Sequence, residues 1–304
     1  MKILLSINKY LQRGLFNRID AGYWNFYIPM MQLGHEVLFY DIESGNDTGF
    51  MKTVENFNPD LIFCCLTFID SWKEPTMEEI RKLTKEGNIK TFNWFCDDTW
   101  RFEQTSKNLC WNFTACSTPE PTYIQKYKNI GYDNIILGMW HANKDFCQVN
   151  NKKNYDLGFC GGLNNQRINM ISKLRNENIN IGMFYGGTYE EMMTNYSLSK
   201  IGINFSVNAN DPELKTQMKA RMVEVPASKS LLFTEYTQGI EEFFTINKEI
   251  ICFTEEQEMV DKIKYLLNNE KFVEKISFAG YERFLRDHES KVRLKNVLEE
   301  IDKI

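Results

Sequence analysis

The chain has 304 residues, a formal net charge of −5 at pH 7, and 43% hydrophobic and 25% charged residues. This length exceeds what one hydrophobic core usually serves, so we expect two domains of roughly 150 residues. The composition is typical of a globular protein, and the negative charge argues against a protein that coats nucleic acid through charge alone.

The cysteines and histidines show no disulfide or zinc pattern. None of the eight cysteines forms a C-x-x-C pair, and the three histidines are far apart in the sequence. Several cysteines lie in apolar runs, where this residue behaves as a small buried hydrophobe. We therefore expect reduced thiols in a cytoplasmic protein without a signal peptide. We expect no membrane span either, since no run approaches the ~20 apolar residues that a span needs.

Apolar runs alternate with helical patterns through the first half of the chain. Continuous runs of this kind are typical of strands that are covered on both faces. The pattern predicts strands at residues 3–7, 37–42, 60–66, 90–95, 113–117 and 135–139, and helices at 15–33, 76–86 and after Pro119.

A polar segment rich in asparagine and lysine interrupts this alternation at residues 142–155, after which the pattern resumes. From residue 270 onward the sequence is almost entirely helical, with a predicted break near 287–289. Between these points the pattern predicts strands at 156–160, 179–185, 200–205, 231–234 and 250–253, and helices at 166–176, 189–196, 219–227, 240–244 and 255–267.

Two runs of alternating strands and helices predict an α/β chain with two doubly wound, Rossmann-like domains that face each other across a cleft. The first domain is placed at residues 1–141, the linker at 142–155, the second domain at 156–290 and a final helical segment at 291–304. Ligands of such sheets bind outside the carboxyl ends of the strands, so the cleft is the expected site.

An arginine and a glutamate carry the strongest single signal in the sequence. Arg221 and Glu224 are three residues apart, so on a helix they share one face. A guanidinium can hold a phosphate at two points, and a carboxylate can accept hydrogen bonds from a ribose diol. The pair therefore suits a nucleoside diphosphate, and the alternative is a surface ion pair that contributes little to stability.

A glycine turn follows the first strand of the second domain. Gly161 and Gly162 would let the backbone approach a phosphate, and Arg167 in the next helical turn could close over it. The lysine and the Ser/Thr of a P-loop are missing. The alternative is a tight turn between strand and helix that binds nothing.

Other candidates for donor binding follow the neighbouring strands. Tyr185 could pack against a nucleobase, and Asn204 and Ser206 could contact phosphate or hydroxyl groups. Thr237 lies in the polar turn after the 231–234 strand and joins this set. All four are also ordinary turn residues.

The candidates for catalysis are two aspartates and a histidine. Asp97 and Asp98 follow a strand of the first domain and could accept a proton from an attacking hydroxyl, or they could form a turn that caps the next segment. His141, near the predicted hinge, could act as a base or contact a phosphate, or it could be a hydrogen-bonded hinge residue. A D-x-D motif is absent, so no essential metal site is predicted.

The loop after the first strand is the candidate for the acceptor side. It contains Asn8, Lys9 and Gly14. In a two-domain enzyme this loop faces the cleft, where Lys9 could meet an anionic substrate.

In their order along the chain these motifs resemble the glycosyltransferases of the GT-B architecture, and in particular the CgeB-like family of spore-maturation proteins. The resemblance covers most of the chain and is stronger in the second half. It rests on the glycine turn at 158–167, the R-x-x-E-x-x-A segment of Arg221, Glu224 and Ala227, the LLFTE strand at 231–235, and a helical region with Ala279, Gly280, Arg283, His288 and Arg293.

The resemblance implies that the second domain binds the donor, with Glu224 on the ribose and Arg221 on the diphosphate. It also implies that the final helix crosses back onto the first domain. Thr216 departs from the pattern, because related retaining enzymes often carry a second glutamate at this position. The stereochemical outcome is therefore left open.

The expected function is transfer of a sugar from a nucleotide-diphosphate sugar to an acceptor hydroxyl, without a metal or another cofactor. The acceptor could be a glycan, a protein, a small molecule or a modified DNA base. The alternatives are an enzyme that glycosylates a hydroxymethylated base in DNA, a non-catalytic nucleotide-binding protein, and an epimerase of the same architecture.

Overall fold

The computed structural model describes residues 1–10, 18–45, 48–66, 74–147, 149–207, 213 and 215–304. Its internal contacts divide the chain into two units. Unit 1 contains residues 1–139 and 290–304, and unit 2 contains residues 140–289. The predicted linker at 142–155 lies within unit 2.

Unit 1 is built on a sheet of six parallel strands in the order β2-β1-β3-β4-β5-β6. Its strands are β1 (Lys2–Ile7), β2 (Glu36–Asp41), β3 (Leu61–Cys64), β4 (Lys90–Trp94), β5 (Ala115–Thr118) and β6 (Ile135–Leu137). Alternate residues of a strand point to opposite faces, so Leu4 enters one buried cluster while Ile3 and Leu5 enter another.

The helices of unit 1 cover both faces of this sheet. A π-helical segment at Tyr23–Tyr27 runs into α1, Phe102–Ser106 is also π-helical, and Cys110–Asn112 is a 3-10 turn. The α-helices before residue 140 are α1 (Ile28–Gln32), α2 (Phe50–Phe57), α3 (Met77–Glu86), α4 (Asp98–Arg101), α5 (Lys107–Leu109) and α6 (Pro121–Asn129).

Unit 2 is built on a sheet of five parallel strands in the order β11-β10-β9-β7-β8. Its strands are β7 (Tyr155–Cys160), β8 (Ile181–Phe184), β9 (Ser199–Asn204), β10 (Leu231–Glu235) and β11 (Ile251–Phe253). Its α-helices are α7 (Asn165–Asn176), α8 (Tyr189–Ser197), α9 (Arg221–Ala227), α10 (Glu256–Leu267) and α11 (Glu270–Arg283).

The end of the chain returns to unit 1. After a π-helical segment at Phe284–His288, the last helix is α12 (Ser290–Lys303). Its residues Leu294, Val297, Leu298 and Ile301 are buried in the core of unit 1. The Lys90 ammonium donates hydrogen bonds to the carbonyls of Ile301 and Asp302, at 3.0 and 2.9 Å, which satisfies acceptors that every helix end leaves open.

The predicted α/β class with two parallel, Rossmann-like sheets is confirmed. Most predicted elements lie within a few residues of the observed ones. One difference is the helix predicted at 240–244, which is a single 3-10 turn at Ile240–Glu242. It follows Gly239, whose left-handed φ of +90° turns the chain sharply.

No helix in the described ranges is long and apolar enough to cross a bilayer.

Each sheet has one point where the strand order reverses. In unit 2 the chain passes from β7 outward to β8, and then to β9 on the other side of β7. In unit 1 the chain likewise passes from β1 to β2 on one side, and then to β3 on the other side of β1. Such a switch point opens a crevice outside the carboxyl ends of the strands, where α/β proteins bind ligands.

Candidate functional site

Arg221 lies at the switch point of unit 2. It is the first residue of α9. Its Nε donates a hydrogen bond to the carbonyl of Cys160 at 2.6 Å, and its Nη1 to Oδ1 of Asn204 at 3.4 Å. Because Cys160 ends β7 and Asn204 ends β9, the guanidinium spans the carboxyl ends of the two strands that border the switch point.

The glycine turn after β7 makes room for this guanidinium. Gly161 has a φ of +140°, and a Cβ added to it would lie 2.4 Å from Nη2 of Arg221. A larger residue would therefore strain the backbone and displace the arginine. A Cβ added to Gly162 would meet no atom within 4 Å, so this side of the turn is open to a ligand.

Arg167 brings a second cation to the same place. It lies in the first turn of α7, where its backbone N–H donates to the side chain of Asn164 at 2.9 Å. Its guanidinium donates to the carbonyls of Gly162 at 2.7 Å and Val207 at 3.3 Å. Burial and the charge of Arg221 lower the pKa of Arg167 to about 10. Two guanidiniums that repel each other favour an anion between them.

Glu224 is buried one turn further along α9, with 5% of its surface exposed. Burial raises the pKa of Glu224 to about 7, although the charge of Arg221 opposes the shift. Among the described residues no hydrogen-bond donor reaches its carboxylate, and Arg221 does not lie within ion-pair distance of it. The alternative of a surface ion pair is therefore wrong, because the glutamate is buried and the arginine points to the strand ends.

A buried polar network fixes the ends of β9 and β10. The Asn204 amide donates to the hydroxyls of Ser206 and Thr234, at 3.0 and 2.9 Å. The backbone N–H groups of Ser206 and Val207 donate to one carboxylate oxygen of Glu235, at 2.8 and 3.0 Å. Asn204 and Ser206 thus shape the turn and orient Arg221. Glu235 was not among the candidate residues, although a carboxylate at a strand end is a signal that could have found it.

Two further donor-binding candidates remain predictions. Thr237 follows β10 and is 2% exposed, and its hydroxyl has no hydrogen-bond partner in the part of the chain that the structure describes. A buried hydroxyl without a partner is destabilising unless a ligand satisfies it. Tyr185 follows β8 with 73% of its surface exposed, so its ring is accessible.

The two aspartates lie in unit 1 and have different surroundings. Asp98 is completely buried and accepts a hydrogen bond from the Tyr127 hydroxyl at 2.9 Å. Burial raises the pKa of Asp98 to about 6. Asp97 has a left-handed φ of +61° and lies 3.4 Å from the guanidinium of Arg101. Asp98 is therefore held in the core and Asp97 is the more accessible of the two, and a catalytic role for either stays a prediction.

The remaining candidates are divided between the units. His141 belongs to unit 2 and is 3% exposed. Asn8 and Lys9 follow β1 at the switch point of unit 1, where the Lys9 N–H donates to Asp41 at 3.1 Å. Gly14 lies outside the described residues. No group of three histidine, cysteine, aspartate or glutamate side chains that could hold a metal occurs among the residues searched.

Comparison with known proteins finds one family and many structures. A sequence model of the family described as "Glycosyl transferase-like" matches residues 166–299, which include Arg167, Arg221 and Glu224. No curated protein matches the chain.

The structural matches extend over the whole chain at low sequence identity. Sucrose-phosphate synthase from Thermosynechococcus elongatus has a TM-score of 0.68 at 9% identity, with 100% of both chains covered. HepE from Anabaena in complex with UDP has a TM-score of 0.63 at 11% identity, again with 100% of both chains covered. An α-glucosyltransferase in complex with UDP and a DNA containing an HMU base has a TM-score of 0.63 at 12% identity, covering 99% of each chain.

At these identities the structural matches show the fold alone, and the family model covers less than half of the chain. The chain therefore has the GT-B fold of glycosyltransferases, and its residues 166–299 carry the sequence pattern of the "Glycosyl transferase-like" family.

Proposed function

We propose that the chain transfers a sugar from a nucleoside-diphosphate sugar to an acceptor hydroxyl, with the donor bound at the carboxyl edge of the unit 2 sheet. The observation that carries this proposal is the convergence of Arg167 and Arg221 on the switch point. Negative charge grows on the diphosphate as the bond between sugar and phosphate breaks. Fixed cations stabilise that charge without reorganisation at the moment of reaction.

The donor diphosphate is placed against Arg167, Arg221 and the open side of Gly162. The ribose diol then donates hydrogen bonds to Glu224, whose buried carboxylate receives none from the described residues. Thr237 contacts the donor through its hydroxyl, and Tyr185 stacks on the base. No metal or other cofactor takes part, because the two arginines supply the positive charge that the diphosphate needs.

UDP is the first nucleotide to test. HepE from Anabaena was solved with UDP, with UDP and glucose, and with UDP-glucose, and its fold is shared across the full length of this chain. The CgeB-like family is the proposed subfamily, on the R-x-x-E-x-x-A segment and the strand that follows it.

The acceptor is assigned to unit 1, at the loop of Asn8, Lys9 and Gly14. Asp97 or His141 would polarise its hydroxyl if the reaction inverts the configuration of the sugar. Thr216 stands where many retaining relatives have a glutamate, so inversion and retention are both open. A cytoplasmic location agrees with the eight cysteines, none of which forms a disulfide.

A second candidate function is glycosylation of a modified base in DNA. One structure with this fold contains UDP together with DNA that carries an HMU base. Transfer of radiolabelled sugar to duplex DNA with and without hydroxymethylated bases distinguishes this acceptor from glycans and small molecules.

The test is a transfer assay with a panel of sugar nucleotides and acceptors, in the presence and absence of EDTA. Arg221→Met should reduce kcat/KM by at least ~100-fold, the usual effect of removing a group that stabilises the transition state. Glu224→Gln should reduce kcat/KM mainly by raising KM for the donor, because it weakens a contact with the ribose. Their matched controls, Arg175→Met and Glu242→Gln, change exposed residues of unit 2 and should retain activity. EDTA should have no effect.

Activity retained by both site variants would reject the donor site. Tight nucleotide binding without turnover on any acceptor would instead support a non-catalytic binding protein. Interconversion of two sugar nucleotides without an acceptor would identify an epimerase.

A further inference from the structure

A cavity of about 340 Å³ lies at the amino edge of the unit 2 sheet, opposite the edge that carries Arg221. Its lining includes Lys153, which precedes β7, Lys200 in β9, and Lys229, which precedes β10. The volume is within the range of small-molecule sites. None of these residues belongs to the proposed donor site.

Two of the three lysines in this cavity have no counterion among the residues that the structure describes. Lys200 is paired with Asp156 at 3.6 Å and Glu270 at 3.3 Å. Lys229 has no carboxylate within ion-pair distance in the described ranges, and neither does Lys153.

Lys153 lies close to Lys229 and is anchored beside it. Its ammonium donates a hydrogen bond to the carbonyl of Ser197 at 2.8 Å, and longer ones to the carbonyl of Lys229 and the hydroxyl of Ser230, both at 3.4 Å. Burial lowers the pKa of Lys153 to about 8, and the charge of Lys229 adds to the shift. An anion between the two ammonium groups would remove this repulsion.

An aromatic ring forms an apolar wall of the cavity. Phe278 is 53% exposed, and the Lys229 ammonium lies 5.6 Å from its ring centroid. The buried side chains of Leu266 and Val273 continue this apolar wall. Glu270 and Glu274 also line the cavity, but both are exposed, so water screens their charges more than it screens the half-buried lysines.

The backbone at Lys229 supports a role for its side chain. Lys229 has a left-handed φ of +54° directly after Ser228, which caps α9. Glycine is the usual residue at this position after a helix, because other residues are strained there. Strain of this kind is concentrated at functional sites.

We propose that this cavity binds a small organic phosphate, with the phosphate bound by the Lys229 ammonium and attracted by the charge of Lys153, and a flat apolar body packed on Phe278. The site is also placed to act as an effector site. Lys229 follows the last turn of α9, and Arg221 begins the same helix, so a ligand here contacts the element that carries a donor-site cation. This effector role rests on the proposed function, whereas binding itself does not.

The test titrates phenyl phosphate into the full chain by calorimetry, with inorganic phosphate and phenol as comparison ligands. Phenyl phosphate should bind at least tenfold more tightly than either. Lys229→Gly, which also relieves the left-handed strain, and Phe278→Ala should each weaken binding at least tenfold. Lys248→Ala, at an exposed lysine of the same unit, and Arg221→Met should leave it unchanged.

Three results would overturn the binding site: no measurable affinity for phenyl phosphate, unchanged affinity in Lys229→Gly, or loss of binding in Arg221→Met alone, which would place the anion at the donor edge. The thermal unfolding of each variant confirms that it is folded.

For the effector role, saturating phenyl phosphate should change the affinity for UDP at least threefold in the wild type and not in Lys229→Gly. An unchanged affinity in the wild type would reject that role while leaving the binding site.

Discussion

Glu224 and Arg221 show how two charged residues on one helical turn can have different surroundings. The arginine donates hydrogen bonds through Nε to the carbonyl of Cys160 and through Nη1 to the side chain of Asn204. The glutamate is buried, and the charge of Arg221 compensates for only part of the cost of burial. An arrangement in which cation and anion do not neutralise each other leaves both available to a ligand.

The raised pKa of Glu224 predicts a pH dependence of stability. Because the pKa is about 7 in the folded chain and about 4.5 in the unfolded chain, the folded state binds the proton more tightly. The protonated Glu224 carboxyl therefore contributes its full stabilisation of the folded state below pH 4.5, and this stabilisation is lost as the pH rises through about 7. Between pH 5 and 8 the wild type should lose about 2–3 kcal/mol relative to Glu224→Gln.

Urea unfolding of both proteins at several pH values measures this difference. Parallel pH profiles for the wild type and the variant would show that the carboxylate is not held in a desolvated position.

At the scale of residues, the structure brings the donor-site candidates of the sequence together, and their roles stay predictions, as do those of the catalytic candidates. Gly161 and Arg167 follow β7, and the guanidinium of Arg221 reaches the ends of β7 and β9, because the ends of neighbouring parallel strands meet at one edge. The burial of Asp98 could not be predicted, because it depends on Tyr127 of α6 donating to it from a distant part of the chain.

At the scale of elements, the turn between β7 and α7 is the feature on which the site depends. Gly161→Ala would place a methyl group 2.4 Å from the guanidinium of Arg221 at a φ of +140°. We expect a loss of about 1–3 kcal/mol in the free energy of unfolding and a displaced arginine. Gly162→Ala is the matched control, since its Cβ position is open.

Thermal unfolding of the two glycine variants measures the effect. Equal melting temperatures would indicate that the turn is not constrained by Arg221.

The strands were predicted more closely than the short helical segments. The strand β3 is a continuous apolar run that is buried along its whole length, and this pattern is readable from the sequence. The π-helical and 3-10 segments have no such pattern, because their geometry is set by packing and by single turn residues such as Gly239.

At the scale of the whole molecule, alternation of strands and helices predicted two parallel sheets but not their strand order. The position of β9 beside β7 creates the switch point of unit 2, and that pairing depends on contacts between distant parts of the chain. The apolar stripe of α12 shows that this helix buries one face without showing which core receives it.

The packing of α12 makes unit 1 depend on the last residues of the chain. Leu294 is completely buried in the core of unit 1, so Leu294→Ala should lower the free energy of unfolding by about 2–5 kcal/mol. Its exposed neighbour Lys295 provides the control, and Lys295→Ala should change it by less than about 0.5 kcal/mol. Similar urea midpoints for the two variants would contradict the assignment of α12 to this core.

We propose that the carboxyl edge of the unit 2 sheet holds the diphosphate of a sugar nucleotide. A crystal structure of the chain with the nucleoside diphosphate that gives the largest thermal shift among UDP, GDP, ADP and TDP tests this directly. We expect diphosphate oxygens within hydrogen-bond distance of Arg167 and Arg221, and a ribose hydroxyl on Glu224. A nucleotide bound elsewhere, with both guanidiniums still held only by the chain, would contradict it.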